Sequence, residues 1–128
     1  MKKILIIDDE ELILTSLKMI LMFLDEDYEF LLSRNGKEGL DRFKIEDNIK
    51  LVLLDYNMPE MNGLQVTQEM RAISKEVKII MMSGNHDIKN KALSFGVNRF
   101  IEKPMELDIK ELVLEELKEN NGGENEEK

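Results

Sequence analysis

One segment of the sequence constrains the fold more than any other: an unbroken apolar run that ends in an acid and then a turn. The run occupies residues 51–54 and leads directly into Asp55. Residues that favour turns follow it: Asn57, Pro59, Asn62 and Gly63. A short apolar run bounded in this way is typical of a strand buried on both faces of a parallel sheet. Asp55 is therefore predicted at the carboxyl edge of such a sheet, where ligands bind, although a lone Asp there also fits a simple turn or helix cap.

The remaining apolar patterns predict an α/β fold. Predicted strands occupy residues 3–8, 28–33, 50–55, 77–82 and 98–102. Helical spacing of apolar residues marks residues 10–24, 37–45, 64–73, 86–95 and 107–117. Alternating strands and helices indicate βαβ units with right-handed crossovers and a parallel sheet covered on both faces. With five strands and no glycine-rich first turn, we predict a flavodoxin-like (βα)5 three-layer sandwich with strand order 2-1-3-4-5.

The length and composition indicate one domain with an acidic surface. The chain has 128 residues, a net charge of -9 and no cysteine. We expect a domain over residues 1–119 and a disordered acidic tail over residues 120–128, because that tail has no apolar residue. The charge argues against direct binding to nucleic acid, and the absence of cysteine excludes disulfides and zinc-thiolate sites.

The apolar segments are too short for export or for membrane insertion. The first, residues 4–7, runs into acids and is shorter than the apolar region of a signal peptide. No apolar run approaches the roughly 20 residues of a membrane span. We therefore expect a cytoplasmic protein without a membrane partner.

Three acids are predicted to meet at one edge of the sheet. The predicted strand order places strand 1 beside strand 3, so Asp8 and Asp9 lie next to Asp55. Two unit charges about 4 Å apart repel by roughly 4 kcal/mol near a protein surface, and either a bound cation or protonation of one acid would relieve this. Oxygen ligands favour Mg²⁺, Ca²⁺ or Mn²⁺, and an open rim with few protein ligands suits Mg²⁺. Singly, Asp8 and Asp9 also fit a helix cap followed by a first-turn acid.

Two further polar residues are predicted at the same edge. Ser83 ends the fourth predicted strand, and Lys103 follows the fifth. A carboxylate between a metal ion and an ammonium can act as a nucleophile toward phosphorus, while the cations neutralise charge on the phosphoryl oxygens. Taken singly, Ser83 fits an ordinary turn and Lys103 an ordinary surface lysine.

Four motifs in order give a family resemblance over residues 2–118: IIDDE, LLDYNMPEMNG, MMSGN and FIEKP. The chain resembles the receiver domain of two-component response regulators, the CheY-like family. The resemblance implies that Asp55 is the phosphoacceptor. It also implies that Asp9 binds Mg²⁺ directly, Asp8 largely through water, and Asn57 through its backbone carbonyl.

The same resemblance implies a conformational switch and a set of partners. Ser83 would turn toward the phosphoryl group and Phe100 would change rotamer with it, while Lys103 precedes a cis bond to Pro104. A histidine kinase or histidine phosphotransfer protein would supply the phosphoryl group. A downstream effector protein would bind the face made by helix 4, strand 5 and helix 5, which includes Lys91 and Phe95. The chain would be a monomer or a weak phosphorylation-dependent dimer, and would catalyse only its own phosphorylation and dephosphorylation.

Three alternatives compete with this interpretation. A phosphohydrolase of the haloacid dehalogenase type would need an Asp where Asn57 stands, together with a cap insertion. A binding module that is not phosphorylated would be indicated by loss of Asp9, Asp55 or Lys103, and all three are present. A receiver cut from a longer regulator with an effector domain, in which residues 120–128 begin a linker, stays open.

Overall fold

The computed structural model describes residues 1–24, 27–103 and 109–126, with side chains described as far as residue 118. The strands are β1 Lys3–Ile7, β2 Glu29–Ser33, β3 Ile49–Asp55, β4 Lys78–Ser83 and β5 Arg99–Glu102. The helices are α1 Glu11–Leu21, α2 Gly36–Ile45, α3 Gly63–Ile73, α4 Lys89–Phe95 and α5 Ile109–Glu126. All strand pairs are parallel, in the order β2-β1-β3-β4-β5. The predicted fold class and strand order are confirmed.

Side chains that alternate along the strands feed two cores, one on each face of the sheet. On β3, Val52 and Leu54 pack with α2, α3 and α4, whereas Leu51 and Leu53 pack with α1 and α5. This follows from the pleat, which directs successive side chains to opposite faces. All four side chains are fully buried, and each such burial stabilises the fold by about 1.5–3 kcal/mol.

Local sequence signals position the loops at the carboxyl edge. Asn62 begins α3 with a capping box, in which its side chain accepts from the backbone N–H of Gln65 at 3.0 Å while the Gln65 side chain accepts from the Asn62 N–H at 2.8 Å. Asn35 caps α2 by accepting from the N–H of Glu38 at 2.8 Å. These caps satisfy backbone donors that would otherwise lack partners at a helix start.

The fourth predicted helix differs from the structure at its start. Residues 86–95 were predicted as one helix, but His86–Ile88 form a 3₁₀ turn and α4 follows only at Lys89. Asn85 caps the 3₁₀ turn by accepting from the N–H of Asp87, so the first residues are held by a local side chain rather than by α-helical bonds.

The last helix is longer than predicted. The pattern predicted an end at Leu117 and a disordered tail from residue 120, whereas the backbone of α5 is helical to Glu126. A helix nucleated by packed residues can propagate into a polar segment, because each further residue adds one hydrogen bond. The two Asn and two Gly at residues 120–123 have low helix propensity, which is consistent with the earlier end that the pattern predicted. Leu107 and Pro104, which entered two of the predictions, lie outside the described residues.

Across the described ranges, no helix combines the length and the apolar character that crossing a membrane requires.

Candidate functional site

Strand register brings the predicted site residues to one edge of the sheet. Ile7 of β1 pairs with Leu54 of β3, so Asp8 and Asp55 follow on neighbouring strands. Asp55 pairs in turn with Met82 of β4, one residue before Ser83. The backbone N–H of Lys103 donates to the carbonyl of Ser83 at 2.8 Å, which attaches the end of β5 to the same edge.

Three carboxylates form a compact cluster at this edge. Asp8, Asp9 and Asp55 each contribute a carboxylate oxygen, and these atoms all lie within 4.8 Å of one another. Asp8 and Asp55 are buried, whereas Asp9 is exposed. The backbone N–H of Glu10 donates to Oδ1 of Asp8 at 2.9 Å. Oδ2 of Asp8 is buried and has no hydrogen-bond partner among the described residues.

This donor set fits a small divalent cation. A buried carboxylate oxygen without a hydrogen bond is costly unless positive charge lies near it, and here the Lys103 ammonium comes no closer than 3.7 Å. The cluster offers only oxygen atoms and is open through exposed Asp9, which suits an ion that keeps part of its water shell. Asp8, Asp9 and Asp55 are therefore the residues that could hold a metal.

Lys103 lies opposite the acids. Its ammonium donates to Oδ1 of Asp55 at 2.9 Å, and it lies 3.7 Å from Oδ2 of Asp8. Asp55 is thus held between an ammonium and two further carboxylates. The sequence predicted this relationship from strand order, and the structure confirms that residues 55 and 103 are in contact.

Burial changes the pKa values of the buried acids at this site more than any single neighbouring charge does. Burial raises the pKa of Asp55 to about 6, with the charge of Asp8 adding to the shift and the hydrogen bond from Lys103 opposing it. Burial also raises the pKa of Asp8, and the hydrogen bond from Glu10 opposes that shift. Burial alone would lower the pKa of Lys103, but the hydrogen bond and charge of Asp55 outweigh it, so the pKa of Lys103 is raised.

Ser83 is at the same edge, and its hydroxyl is bonded within its own loop. It is fully buried, and its hydroxyl oxygen accepts from the backbone N–H of Asn85 at 2.9 Å. Next to it, a Cβ built on Gly84 would meet nothing within 4 Å, so there is open space beside the hydroxyl. The structure therefore shows Ser83 bonded to its own loop, with room for another group to approach.

The other predicted residues differ in their burial and in the core they pack against. Phe100 is half-buried and packs against the core that contains α2, α3 and α4. Phe95 packs against the same core, and Lys91 is exposed. Asn57 lies in the loop after Asp55 with an exposed side chain.

Two residues that shape the site, Glu10 and Gly63, were not predicted as site residues from the sequence. The Glu10 backbone orients Asp8, and Gly63 permits the loop after Asp55 to return closely, because a Cβ there would lie 2.8 Å from the Asp55 carbonyl oxygen. The glycine in MNG was a visible signal, since close backbone approach is a common reason for Gly at such a position. The role of Glu10 uses only its backbone, so no side-chain pattern could reveal it.

The sequence of the chain is similar to those of known proteins from one family. The family model for the response regulator receiver domain matches residues 4–115. A chemotaxis protein CheY homolog of Campylobacter jejuni is 32% identical over 127 residues, which cover 95% of this chain and 96% of the relative. An uncharacterized transcriptional regulatory protein, YkoG of Bacillus subtilis, is 35% identical, and the match covers 82% of this chain but only 46% of that relative.

Solved structures of response regulator proteins have the same fold as this chain. A CheY-like receiver domain protein of Methanospirillum hungatei has a TM-score of 0.87 and 32% identity, covering 96% of this chain and 98% of that one. The response regulator TrrA of Thermotoga maritima, solved in complex with Mg(2+)-BeF, has a TM-score of 0.79 and 33% identity, covering 91% and 99%. The chain therefore belongs to the response regulator receiver domain family of two-component signalling.

Proposed function

We propose that Asp55 accepts a phosphoryl group and that the chain signals through the resulting acyl phosphate. The observation that supports this most directly is the position of Asp55 between the ammonium of Lys103 at 2.9 Å and the carboxylates of Asp8 and Asp9. The hydrogen bond from Lys103 orients the buried carboxylate of Asp55, which also adjoins the carboxylates of Asp8 and Asp9. With a pKa of about 6 it is mostly ionised at neutral pH, as a nucleophile must be.

The transfer step follows from these groups. A carboxylate oxygen of Asp55 forms a bond to phosphorus while the bond between phosphorus and the donor breaks. When the donor is a phosphohistidine of a kinase or phosphotransfer protein, the imidazole nitrogen leaves and takes up a proton. Lys103 moves from a carboxylate oxygen to the phosphoryl oxygens, whose charge it offsets. Hydrolysis of the acyl phosphate by water returns Asp55, so the chain transforms no substrate except its own phosphoryl group.

Mg²⁺ is the cation that we propose for the acid cluster. Asp9 and Asp55 would bind it through their carboxylates, Asp8 largely through water, and Asn57 through its backbone carbonyl. When bound, Mg²⁺ would neutralise charge on the phosphoryl oxygens and on the acids. Oδ2 of Asp8 has no hydrogen bond among the described residues, which supports a cation here, and the related TrrA was solved with Mg(2+)-BeF.

The signal would leave through the α4–β5–α5 face. Ser83 would exchange its bond with the Asn85 N–H for one to the phosphoryl group, using the open space beside Gly84. Phe100, without a hydroxyl, would follow by packing alone. Exposed Lys91 and half-buried Phe95 belong to α4, which contributes to this face. The face would bind an effector protein in the cytoplasm. The chain itself would be a monomer or a weak phosphorylation-dependent dimer.

A receiver joined to an effector domain is a second candidate. The match to the Bacillus subtilis regulatory protein spans 46% of that relative, whereas the match to the Campylobacter jejuni CheY homolog spans 96%. The family therefore includes both arrangements, and both use the same phosphoacceptor.

The proposal is tested by incubating the protein with acetyl phosphate and Mg²⁺ and measuring its intact mass. We expect the mass of one added phosphoryl group, which is lost on treatment with hydroxylamine. Asp55→Asn keeps the shape of the side chain and should gain nothing, while Asp87→Asn, on the exposed 3₁₀ turn, should react as the parent does. An equal gain in Asp55→Asn would exclude this acceptor.

A further inference from the structure

The outward side of α1 is apolar where a surface helix normally carries charge. The helix buries Leu14, Leu17 and Leu21 against the sheet. Away from that core, five large apolar residues of α1 and of the turn after it are exposed: Leu12, Met19, Ile20, Met22 and Phe23. A surface helix of a globular protein normally combines one apolar stripe with a polar opposite side. The outward side of α1 therefore has the composition of a contact surface.

The most exposed of these residues follow one line along the helix. Leu12 is 78%, Met19 58% and Phe23 70% exposed. They are seven and four positions apart, a spacing that keeps side chains on one side of a helical segment. Thr15 and Ser16 lie between them and are exposed too. We call residues 12, 15, 16, 19, 20, 22 and 23 the α1 face.

The apolar area of the α1 face is large enough for a weak dimer. A fully exposed large apolar side chain offers roughly 150–200 Å², so the five apolar residues together expose on the order of 500 Å² in each copy. This is in the range of the largest apolar patch on a typical monomer, about 300–600 Å², and such patches are often functional. Two copies packed through this face would bury about 1,000 Å², the lower limit for a specific interface.

The two charged residues of α1 make the α1 face complementary to a second copy of itself. They are Glu11 and Lys18, which lie seven positions apart on one flank of the helix. When two copies of α1 pack antiparallel about a two-fold axis near Thr15 and Ser16, Glu11 of each copy comes within reach of Lys18 of the other. The symmetry therefore forms two opposite-charge pairs, one on either side of the axis.

The apolar residues fit the same antiparallel arrangement. Leu12 of one copy would enter a space bounded by four residues of the other, at the spacing i, i+3, i+4, i+7 that receives a side chain between packed helices: Ser16, Met19, Ile20 and Phe23. The small side chains of Thr15 and Ser16 at the crossing allow the two helices to approach closely. Charge and shape therefore favour one and the same register.

Existing contacts leave both charges available for a second copy. Within the described ranges Lys18 forms no ion pair, and Glu11 lies 3.6 Å from Arg34 with both side chains exposed. An exposed pair of this kind contributes little. The net charge of -9 opposes self-association, but the Debye length is about 8 Å at physiological salt, so acids away from the interface add little repulsion.

We propose that α1 is a homodimer interface, in which the α1 faces of two copies pack antiparallel. The dimer would form without phosphorylation, and so it differs from the phosphorylation-dependent association described above. Because α1 and α4 pack on opposite faces of the sheet, the dimer would leave α4 uncovered for an effector. An interface of this size should have a Kd of about 10–100 µM.

Sedimentation velocity of the full chain between about 5 and 500 µM at physiological salt tests the dimer. The mean sedimentation coefficient should rise from that of a monomer toward that of a dimer, and Leu12→Glu should weaken association at least about tenfold. Ile45→Glu is the matched control, because Ile45 on α2 is 77% exposed and the charge change is the same. A parent chain that stays monomeric over this range, or equal effects of the two variants, would overturn the proposal.

A charge swap distinguishes a second copy from any other partner of the α1 face. Glu11→Lys alone and Lys18→Glu alone should each weaken the dimer about three- to tenfold, because like charges then meet on both sides of the axis. Combining the two substitutions restores opposite charges and should return the Kd to within about twofold of the parent value. Both residues are exposed, and thermal melting verifies that each variant is folded. Failure of the double variant to recover would show that Glu11 and Lys18 do not face each other across the interface.

Discussion

The ammonium of Lys103 donates a 2.9 Å hydrogen bond to Oδ1 of Asp55, although the two residues are 48 positions apart. The Asp55 side chain is 3% exposed and that of Lys103 is 25% exposed, so the pair is largely shielded from water. A shielded pair of this kind is more sensitive to loss of one partner than an exposed one. The first prediction removes the ammonium.

Lys103→Ala should destabilise the protein at pH 7 and reduce phosphorylation more than metal binding. Removing one partner of a largely buried pair costs about 3–5 kcal/mol. Because the Lys103 side chain is partly exposed, the cost should lie toward the lower end of this range. Mg²⁺ titration should still show binding, because the three acids stay in place, while phosphoryl gain from acetyl phosphate should fall strongly. Lys91→Ala is the exposed control. Equal losses of metal binding and phosphorylation would contradict the role assigned to Lys103.

Asp9→Ala should abolish Mg²⁺ binding. Loss of residues that merely support a ligand typically costs 10–100-fold in affinity, so loss of a direct ligand should exceed about tenfold. The metal-free variant should also melt at a higher temperature, because one of three clustered charges is gone. Calorimetric titration and thermal melting measure these effects, with Glu11→Ala as an exposed acid outside the cluster. An unchanged Mg²⁺ affinity would remove Asp9 from the site.

Asp55 should make the stability depend on pH between about 4 and 6. Its pKa is about 6 in the folded state and 3.8 in its ordinary state, so over this range the folded chain retains a proton that the unfolded chain has released. The free energy of unfolding should therefore fall as pH rises through this range, by up to about 3 kcal/mol from this one group.

Urea unfolding at several pH values checks this prediction. Asp55→Asn cannot ionise, so the difference between parent and variant should shrink or reverse as the pH rises from about 4 to 6. Saturating Mg²⁺ should oppose the fall in the parent, because the metal binds the ionised cluster. Asp27→Asn, at an exposed position, should show the pH dependence of the parent. A parent-minus-Asp55→Asn difference that does not vary with pH would show that burial does not raise this pKa.

Ser83→Ala should leave phosphorylation intact and weaken the switch. The substitution removes the hydroxyl that accepts from the Asn85 N–H at 2.9 Å and that we propose for the phosphoryl group. Beryllofluoride with Mg²⁺ should shift the amides of Lys91 and Phe100 in the parent and much less in Ser83→Ala. Ser83→Thr keeps the hydroxyl and should retain the shifts. Full-size shifts in the alanine variant would show that the hydroxyl does not transmit the signal.

Two glycines near the site give a matched comparison. A Cβ at Gly63 would lie 2.8 Å from the carbonyl oxygen of Asp55 and 2.9 Å from Cα of Tyr56, both backbone atoms, whereas one at Gly84 would meet nothing within 4 Å. Gly63→Ala should therefore destabilise the protein by about 1–3 kcal/mol, and Gly84→Ala should stay within about 0.5 kcal/mol of the parent. Urea unfolding measures both. Similar free energies of unfolding for the two variants would show that the loop after Asp55 moves to accept a Cβ at little cost.

Much of the site was predictable because strand order follows from elements that are local. The apolar runs ending at Asp8, Asp55 and Ser83 each indicate a strand from their own residues, and alternation with helices makes the sheet parallel. Parallel strands bring their carboxyl ends to one edge, so three distant segments had to meet there. The turn residues Asn62 and Gly63 likewise mark the boundary before the helix predicted from residue 64, and in the structure Asn62 caps α3 from within that turn.

Other features depend on contacts that no local pattern contains. The 3₁₀ start at His86 and the extent of α5 depend on competition between weak local preferences. The hydroxyl of Ser83 has several possible partners, and only the path of the loop assigns it to Asn85.

The sequence by itself determined the parallel sheet, which follows from hydrophobic periodicity and the alternation of strands with helices. It also indicated the strand order, from five strands without a glycine-rich first turn, and so the edge at which the acids and the lysine gather. Only the tertiary structure decided that Asp55 is buried enough for a pKa near 6, and that Oδ2 of Asp8 has no hydrogen bond among the described residues. Burial and hydrogen bonding depend on contacts from many segments, so no single stretch of the chain contains them.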